Sequence, residues 1–214
     1  DLTARTVGQA LSERIGQPVV IENKPGAGGI GAGEQVARAD ADGHTLLLMS
    51  NATAISATMF TKMPFDALKD FAPVGVLAVF ELGIVVPANA RWRNFAEFLA
   101  EAKANPGKLN LGTIAIGSTQ NLAAELFKSQ AGINVQIVPF NGTPAVVTAL
   151  RGGNIDAAVE ILGPVRTQIT AGALRPLAVM GDKREPTLAD VPTVAEARGS
   201  LAGFNVASWN ALAA

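Results

Sequence analysis

KLNLGTIAIGSTQNLAAELFKSQAGINVQIVPFNGTPAVVTALRGGNIDAAVEI, residues 108–161, contains one local pattern three times. In each case a short apolar run leads into a loop of Gly, Ser, Thr or Asn, and a segment with helical periodicity follows. HTLLLMS, residues 44–50, begins the same pattern once more. Strands that alternate with helices form a mostly parallel sheet with helices on its faces, so the sequence predicts an α/β protein.

The loops that follow these strands are the predicted ligand site. Open α/β sheets bind ligands beyond the carboxyl ends of their strands. The helix that begins there has first-turn N–H groups without partners inside the helix, and such groups attract anions. The sequence therefore predicts a site for a small, acidic molecule.

Composition excludes several classes of protein. The chain has 214 residues, of which 49% are hydrophobic and 16% charged, which is enough for a packed core. A net charge of -1 and 17 Lys and Arg without a basic block argue against nucleic acid as a partner. The absence of cysteine excludes disulfides and thiolate metal sites. The compartment remains open on this evidence.

The order of the patterns predicts two lobes. The strand–helix pattern restarts after Pro87, and extended segments suggest that the chain crosses between lobes near Val86 and Phe204. We therefore predict a first lobe of residues 1–86 with 205–214, and a second lobe of residues 87–204. The helix that opens the chain implies a preceding strand, so we expect the chain to be truncated at both ends.

A glycine motif is the main false lead. Gly26, Gly28 and Gly31 match G-x-G-x-x-G after a predicted strand at 18–23, PVVIEN. A dinucleotide site needs its first glycine at the strand end and an acidic residue closing the next strand. Here Asn23, Lys24 and Pro25 stand between the acidic end of the apolar run, Glu22, and Gly26, and the next strand closes with Ser50. We predict no nucleotide cofactor and interpret the glycines as a permissive connection.

Catalysis finds little support in the residues. The single histidine, His44, stands at the start of its predicted strand, opposite the loops. Ser118 and Thr119 follow a strand but lack a nucleophile elbow, which leaves them as helix caps or ligand hydroxyls. Asp156 and Glu160 share a strand, with only Glu160 near the loop. No pattern indicates a metal site.

Long ordered segments resemble a known family: IGQPVVIENKPGAGGIGAGEQVARADADGHTLLL (15–48), ANPGKLNLGTIAIGSTQNLAAELFK (104–128) and LRPLAVMGDKREPTLADVPTVAEA (174–197). They resemble the Bug proteins, extracytoplasmic solute receptors of tripartite tricarboxylate transporters, over essentially the whole chain. The resemblance implies a monomeric periplasmic receptor with the two-lobed Venus-flytrap fold. Such a receptor binds a small organic carboxylate between its lobes, delivers it to membrane transporter subunits, and performs no chemistry.

The resemblance and the strand-end argument select the same loops. In the first lobe the predicted ligand contacts are Ser50, Asn51 and Thr53. In the second lobe they are Gly117, Ser118, Thr119, Asn141, Thr143 and Glu160. At Asn141 the family usually has a basic residue within an aromatic–basic–Gly run, so this chain lacks a possible charge there.

Glu160 stands where many relatives have aspartate. Its longer side chain suggests that it holds the ammonium group of an amino acid ligand, because an ionised carboxylate repels a plain dicarboxylate. The alternative is that Glu160 pairs with Arg166 or is solvated.

Two other functions stay open on the sequence alone. The same two-lobed fold serves as the effector-sensing domain of regulators, since fold does not fix function. A small α/β enzyme acting on a carboxylate is a third and weaker alternative.

Overall fold

A computed structural model describes residues 2–24 and 29–214 and shows two compact units. The first unit comprises Asp1–Ala78 and Asn210–Ala214, and the second comprises Val79–Trp209. The chain passes between the units at residues 78–79 and 209–210, whereas the sequence placed these crossings near Val86 and Phe204. Two of the motif glycines, Gly26 and Gly28, lie outside the described residues.

Helices and strands alternate along the chain. In order they are α1 (Leu2–Ile15), α2 (Ile30–Ala37), β1 (Leu47–Ser50), α3 (Asn51–Met59), β2 (Pro73–Pro87), α4 (Phe95–Ala104), β3 (Asn110–Ile114), α5 (Thr119–Ala131), β4 (Gln136–Phe140), α6 (Thr143–Arg151), β5 (Ala157–Ile161), α7 (Leu162–Thr170), β6 (Leu174–Val179) and β7 (Ala207–Ala213). Short 3₁₀ segments lie at Pro186–Leu188, Val194–Ala197 and Gly199–Leu201.

The first unit is built on a small antiparallel pairing. Strand β1 pairs with β7, from Leu47 opposite Ala213 to Ser50 opposite Asn210. Its buried core includes Phe65 and Phe71, whose rings meet edge to face with centroids 5.2 Å apart. Burial of these apolar side chains is the main stabilising term for such a small body.

The second unit contains a mixed sheet. Strand β5 lies between β2 and β3, β4 pairs with β3, and β6 pairs with β2. Strands β3, β4 and β5 are parallel to one another, while β2 runs antiparallel to β5 and β6. Alternate residues of β2 enter different cores: Ile84 packs with Phe98 and Phe127, and Val85 packs with Val146. Helices therefore cover both faces of the sheet.

Helix ends in the second unit follow the capping residues. Ser118 starts α5 by accepting a hydrogen bond from the N–H of Asn121, and Gly132, at φ 63°, ends it. Asn94 caps α4 by accepting from the N–H of Glu97 at 2.9 Å. The helical periodicity after Ser118 predicts a helix over 119–131, and the structure confirms it.

Two predicted strands are wrong in detail. Residues 18–23 form no strand, and Val20 is 80% exposed, because no described strand pairs with this segment. The apolar runs VGVLAVF and ELGIVVP, residues 74–80 and 81–87, predict two strands interrupted near Glu81, but β2 runs without interruption over Pro73–Pro87. Within 2–24 and 29–214, no helix is both long and apolar enough to cross a membrane.

Candidate ligand-binding site

Three parallel strands of the second unit end at one edge of the sheet, and a helix begins after each. Strands β3, β4 and β5 are followed by α5, α6 and α7. Ile114, the last residue of β3, lies opposite Phe140, the last residue of β4, so the two loops leave the sheet side by side. Helix starts carry partial positive charge on unpaired N–H groups. We call this edge the strand-end edge, and it is electrostatically suited to an anion.

Asn121 holds the first loop of the strand-end edge in place. Its Oδ1 accepts a 3.2 Å hydrogen bond from the N–H of Gly117, and its N–H donates to Oγ of Ser118, also at 3.2 Å. Its Nδ2 donates to Oγ1 of Thr113 on β3 at 3.3 Å. Ser118 is therefore a helix cap. Its Oγ accepts in this contact, so the hydroxyl proton is not used by it. The N–H of Gly117 already donates to Asn121. The N–H of Thr119, in the first turn of α5, is therefore the candidate donor to a ligand.

Glu160 lies fully buried at the end of β5. Thr143 donates from Oγ1 to its Oε2 at 3.0 Å, and Gln120 donates from Nε2 to the same oxygen at 3.4 Å. Burial raises the pKa of Glu160 above its usual 4.5, and the hydrogen bonds from Thr143, from Gln120 and from the backbone N–H of Ile161 oppose that rise. The other oxygen, Oε1, is buried without a hydrogen-bond partner among the described residues.

The structure contradicts the two alternatives for Glu160, exposure to solvent and pairing with Arg166. Its side chain has 0% exposure, so it is not solvated. Arg166 binds elsewhere, with Nη2 at 3.0 Å from Oε1 of Glu185 and a further hydrogen bond to Thr187. The hypothesis that Glu160 meets the ligand therefore stays a prediction.

Two residues of this edge were missed from the sequence. Gln120 is 4% exposed and Asn121 is 6% exposed, and each bonds to a strand of the sheet. A signal was present, because Gln120 stands three, four and seven residues before the buried Ala123, Ala124 and Phe127. A polar residue on a buried helix stripe must find a hydrogen-bond partner.

The second loop separates its two predicted contacts. Gly142, at φ 88°, turns the chain into α6 and places Thr143 beside Glu160. Asn141 is exposed on the loop. The structure thus brings Thr143 to Glu160 and leaves Asn141 at the surface.

The three predicted contacts of the first unit also follow a strand. Ser50 closes β1 and precedes α3, and its N–H donates to Oγ1 of Thr53 at 3.4 Å. Thr53 is 7% exposed, and Asn51 is half-buried in the first turn of the helix. Ser50 and Thr53 therefore serve the start of α3 through a capping contact.

The chemistry of the strand-end edge is that of binding. Its loops, 115–119 and 141–143, supply hydroxyl, amide and backbone donors and carry no Lys or Arg. The described part of the chain holds no group of three or more His, Asp or Glu able to bind a metal. His44 belongs to the first unit, where its side chain is 87% exposed and lies 3.3 Å from Asp42.

The chain is an α/β protein of two units, passes between them twice, and has helix starts at the ends of its strands. These are features of a solute-binding receptor. Residues 3–214 match the family described as tripartite tricarboxylate transporter family receptor. The chain belongs to this family, which consists of receptors rather than enzymes. The predicted family and α/β receptor fold are confirmed.

Individual relatives agree with the family assignment. The UPF0065 protein of the tcbD-tcbE intergenic region of Pseudomonas sp. strain P51 is 36% identical over 209 residues, which is 98% of this chain and 62% of that protein. Rpa4515 of R. palustris with adipate has a TM-score of 0.87 at 33% identity, over 100% of this chain and 71% of that one. MatC of Rhodopseudomonas palustris with bound malate has a TM-score of 0.84 at 29% identity, over 100% and 72%. The chain spans about three fifths of the length of the curated relatives it matches.

Proposed function

We propose that this chain is the ligand-binding part of a periplasmic receptor that captures a small organic carboxylate and delivers it to a tripartite tricarboxylate transporter. The match of residues 3–214 to the receptor family carries the proposal. The family description names a receptor, which favours this function over a regulatory domain. Its partners are the ligand and the membrane subunits of the transporter, and we propose that it acts as a monomer.

The ligand class follows from the relatives and the local chemistry. The two related structures hold adipate and malate, which are both small dicarboxylates. A carboxylate at the strand-end edge accepts hydrogen bonds from the first-turn N–H groups of α5 and from the hydroxyls of Ser118 and Thr119. Hydrogen bonds to a charged group are each worth about 1.5–3 kcal/mol, so a few neutral donors are sufficient. Bridging waters extend the reach of such donors.

Two further sets of contacts belong to the proposal. Asn141 offers an amide from the loop before α6, and its exposure leaves it available to a ligand. Ser50, Asn51 and Thr53 supply the contacts of the first unit, at the start of α3. Each set is tested separately by substitution within its own unit.

The test is a titration series with adipate, malate, citrate, nicotinate and acidic amino acids, followed by thermal unfolding and calorimetry. A ligand at about one hundred times its dissociation constant adds about 2.7 kcal/mol to the stability of a receptor. We expect a selective rise with one or more of the dicarboxylates. No rise with any of the acids would contradict the proposal.

Ser118→Ala locates the site. It removes a hydroxyl donor at the start of α5, and we expect about tenfold weaker binding, equal to about 1.4 kcal/mol. Ser129→Ala is the matched control, since Ser129 is exposed in the last turn of the same helix. Equal affinities of the two variants would remove Ser118 from the site.

A further inference from the structure

Glu160 poses a problem for a receptor of acids, because an ionised carboxylate at the strand-end edge repels the carboxylate of the ligand. The geometry around Glu160 offers a solution. Its two side-chain donors, Thr143 and Gln120, are both directed at Oε2, and the backbone N–H of the next residue, Ile161, also interacts with the carboxyl group. Oε1 is equally buried and has no partner in the described part of the chain.

This asymmetry is the one expected of a neutral carboxyl group. In a neutral carboxyl, the carbonyl oxygen accepts hydrogen bonds and the hydroxyl oxygen donates one. Oε2, with two donors, fits the carbonyl oxygen. Oε1, with none, fits the hydroxyl oxygen, whose proton requires an acceptor.

Among the described residues, the elements of the second unit that surround Glu160 bring no cation to balance an ionised form. From β2, Gly83 lies directly opposite Glu160 and has no side chain, and Glu81 stands two residues further along the same face. From α7, Arg166 is committed to Glu185. Strand β3 carries no titratable residue, and α5 and α6 contribute the neutral Gln120 and Thr143. A fully buried carboxylate without a cation is costly, so the neutral form is preferred.

We propose that Glu160 is neutral in the ligand-free protein and that its Oε1 hydroxyl donates a hydrogen bond to a carboxylate oxygen of the ligand. The proposal rests on the function proposed above and changes what that function requires of the ligand. A neutral Glu160 selects plain carboxylates, whereas an ionised Glu160 selects a ligand with an ammonium group. The upward shift of its pKa by burial agrees with the neutral form. Because Oε1 is covered in this structure, binding must include a local rearrangement at the strand-end edge.

The test is the pH dependence of binding between pH 5 and 9, measured by calorimetry with malate and adipate. Binding that requires a protonated Glu160 weakens about tenfold for each pH unit above the pKa of that group. We expect this decline in the wild-type protein. Glu160→Gln cannot ionise, so its dissociation constants at high and low pH should be nearly equal.

Glu81→Gln is the matched control. Glu81 is a partly buried carboxyl and, like Glu160, has one oxygen, Oε2, without a hydrogen-bond partner among the described residues; its pKa is raised by burial, then by Asp182 and Glu185. It lies on the neighbouring strand, so the same isosteric change is made close by. We expect Glu81→Gln to keep the wild-type pH dependence. A wild-type affinity that does not change with pH, together with parallel stability curves of the wild type and Glu160→Gln over the same pH range, would overturn the proposal.

Two further outcomes distinguish this proposal from the proposed function. Preference for acidic amino acids, without proton release on binding and with loss of binding in Glu160→Gln, would show that Glu160 is already ionised in the ligand-free protein, and would overturn the proposal while keeping the receptor. Absence of binding by every acid would overturn the proposed function instead. The charge state is then tested without ligand: wild-type stability should fall relative to Glu160→Gln as pH rises above the usual 4.5 of this group. Parallel stability curves would overturn the neutral form.

Discussion

The hydroxyl of Thr143 donates a 3.0 Å hydrogen bond to Oε2 of Glu160 and thereby joins the first residue of α6 to the end of β5. Both partners lie on the strand-end edge, and Glu160 is fully buried. This contact connects the stability of the second unit to the charge state of the residue that we propose to select the ligand.

Thr143→Val removes this donor with little change of shape. Because the buried carboxyl of Glu160 then loses one of its two side-chain donors, we expect the free energy of unfolding to fall by about 1–3 kcal/mol in urea titrations. Thr148→Val is the control, since Thr148 is exposed on the same helix and bonds only to the carbonyl of Pro144 within it. Its effect should stay within about 0.5 kcal/mol. Equal losses in the two variants would contradict the role given to Thr143.

Asn121→Ala should affect both folding and binding. It leaves the N–H of Gly117 without its acceptor and removes the donor to Oγ1 of Thr113, whose hydroxyl still donates to the carbonyl of Ile114. We expect a loss of about 1–3 kcal/mol in urea titrations. The loop that starts α5 also loses its brace, so carboxylate affinity should fall in calorimetry. Ser129→Ala again serves as control and should change neither quantity.

Gly33 and Gly31 form a natural pair for testing packing in the first unit. A Cβ at Gly33 would lie 2.5 Å from Cε1 of Phe65, a rigid ring atom in the core. Gly33→Ala should therefore destabilise by about 1–3 kcal/mol, despite the better helix propensity of alanine. At Gly31, in the same helix, no atom of the described residues lies within 4 Å of an added Cβ, so Gly31→Ala should stabilise by up to about 1 kcal/mol. Thermal unfolding of both variants should show melting temperatures that move in opposite directions.

Glu196 should make stability depend on acidity. Arg184 donates from Nε to its Oε1 at 2.8 Å and from Nη2 to its Oε2 at 2.5 Å, and this pairing, followed by the N–H of Thr193, lowers its pKa to about 2. A lowered folded pKa contributes stability that is present above the usual 4.5 and is lost as pH falls toward 2. The melting temperature of Glu196→Gln should therefore lie below that of the wild type at neutral pH and approach it near pH 2.

Arg184→Met provides the control for this pair. In its background, Glu196→Gln should have a smaller effect than in the wild type, because the partner is already gone. An unchanged effect would show that Glu196 acts only through the N–H of Thr193, to which it is bonded at 3.0 Å.

Local signals in the sequence were sufficient for the elements whose ends are set by neighbouring residues. The sequence predicts a helix over 119–131, and in the structure Ser118 caps its start while Gly132, in the left-handed conformation, ends it. The loops that follow β3 and β4 were predicted from the Gly, Ser, Thr and Asn residues that end their apolar runs. The family was also readable from the order of long segments.

Pairing and burial were not readable in this way. Residues 18–23 have the composition of a strand, yet a strand forms only where another strand supplies hydrogen-bond partners. Strand β2 continues past Glu81 because two other strands pair with its second half: β5 with Leu82–Val85 and β6 with Gly83–Pro87. Neither partner is close in sequence, so no local pattern announces the pairing.

The sequence by itself determined the α/β class, the receptor family and the loops at which the ligand is proposed to bind, since these depend on local periodicity, caps and residue order. Only the tertiary structure decided the environment of Glu160. Thr143 and Gln120 stand 17 and 40 residues away from it along the chain, and folding directs both at one oxygen. Burial and hydrogen bonding at that position are products of strand order and helix packing, which is why the charge of Glu160 could not be inferred before the fold was known.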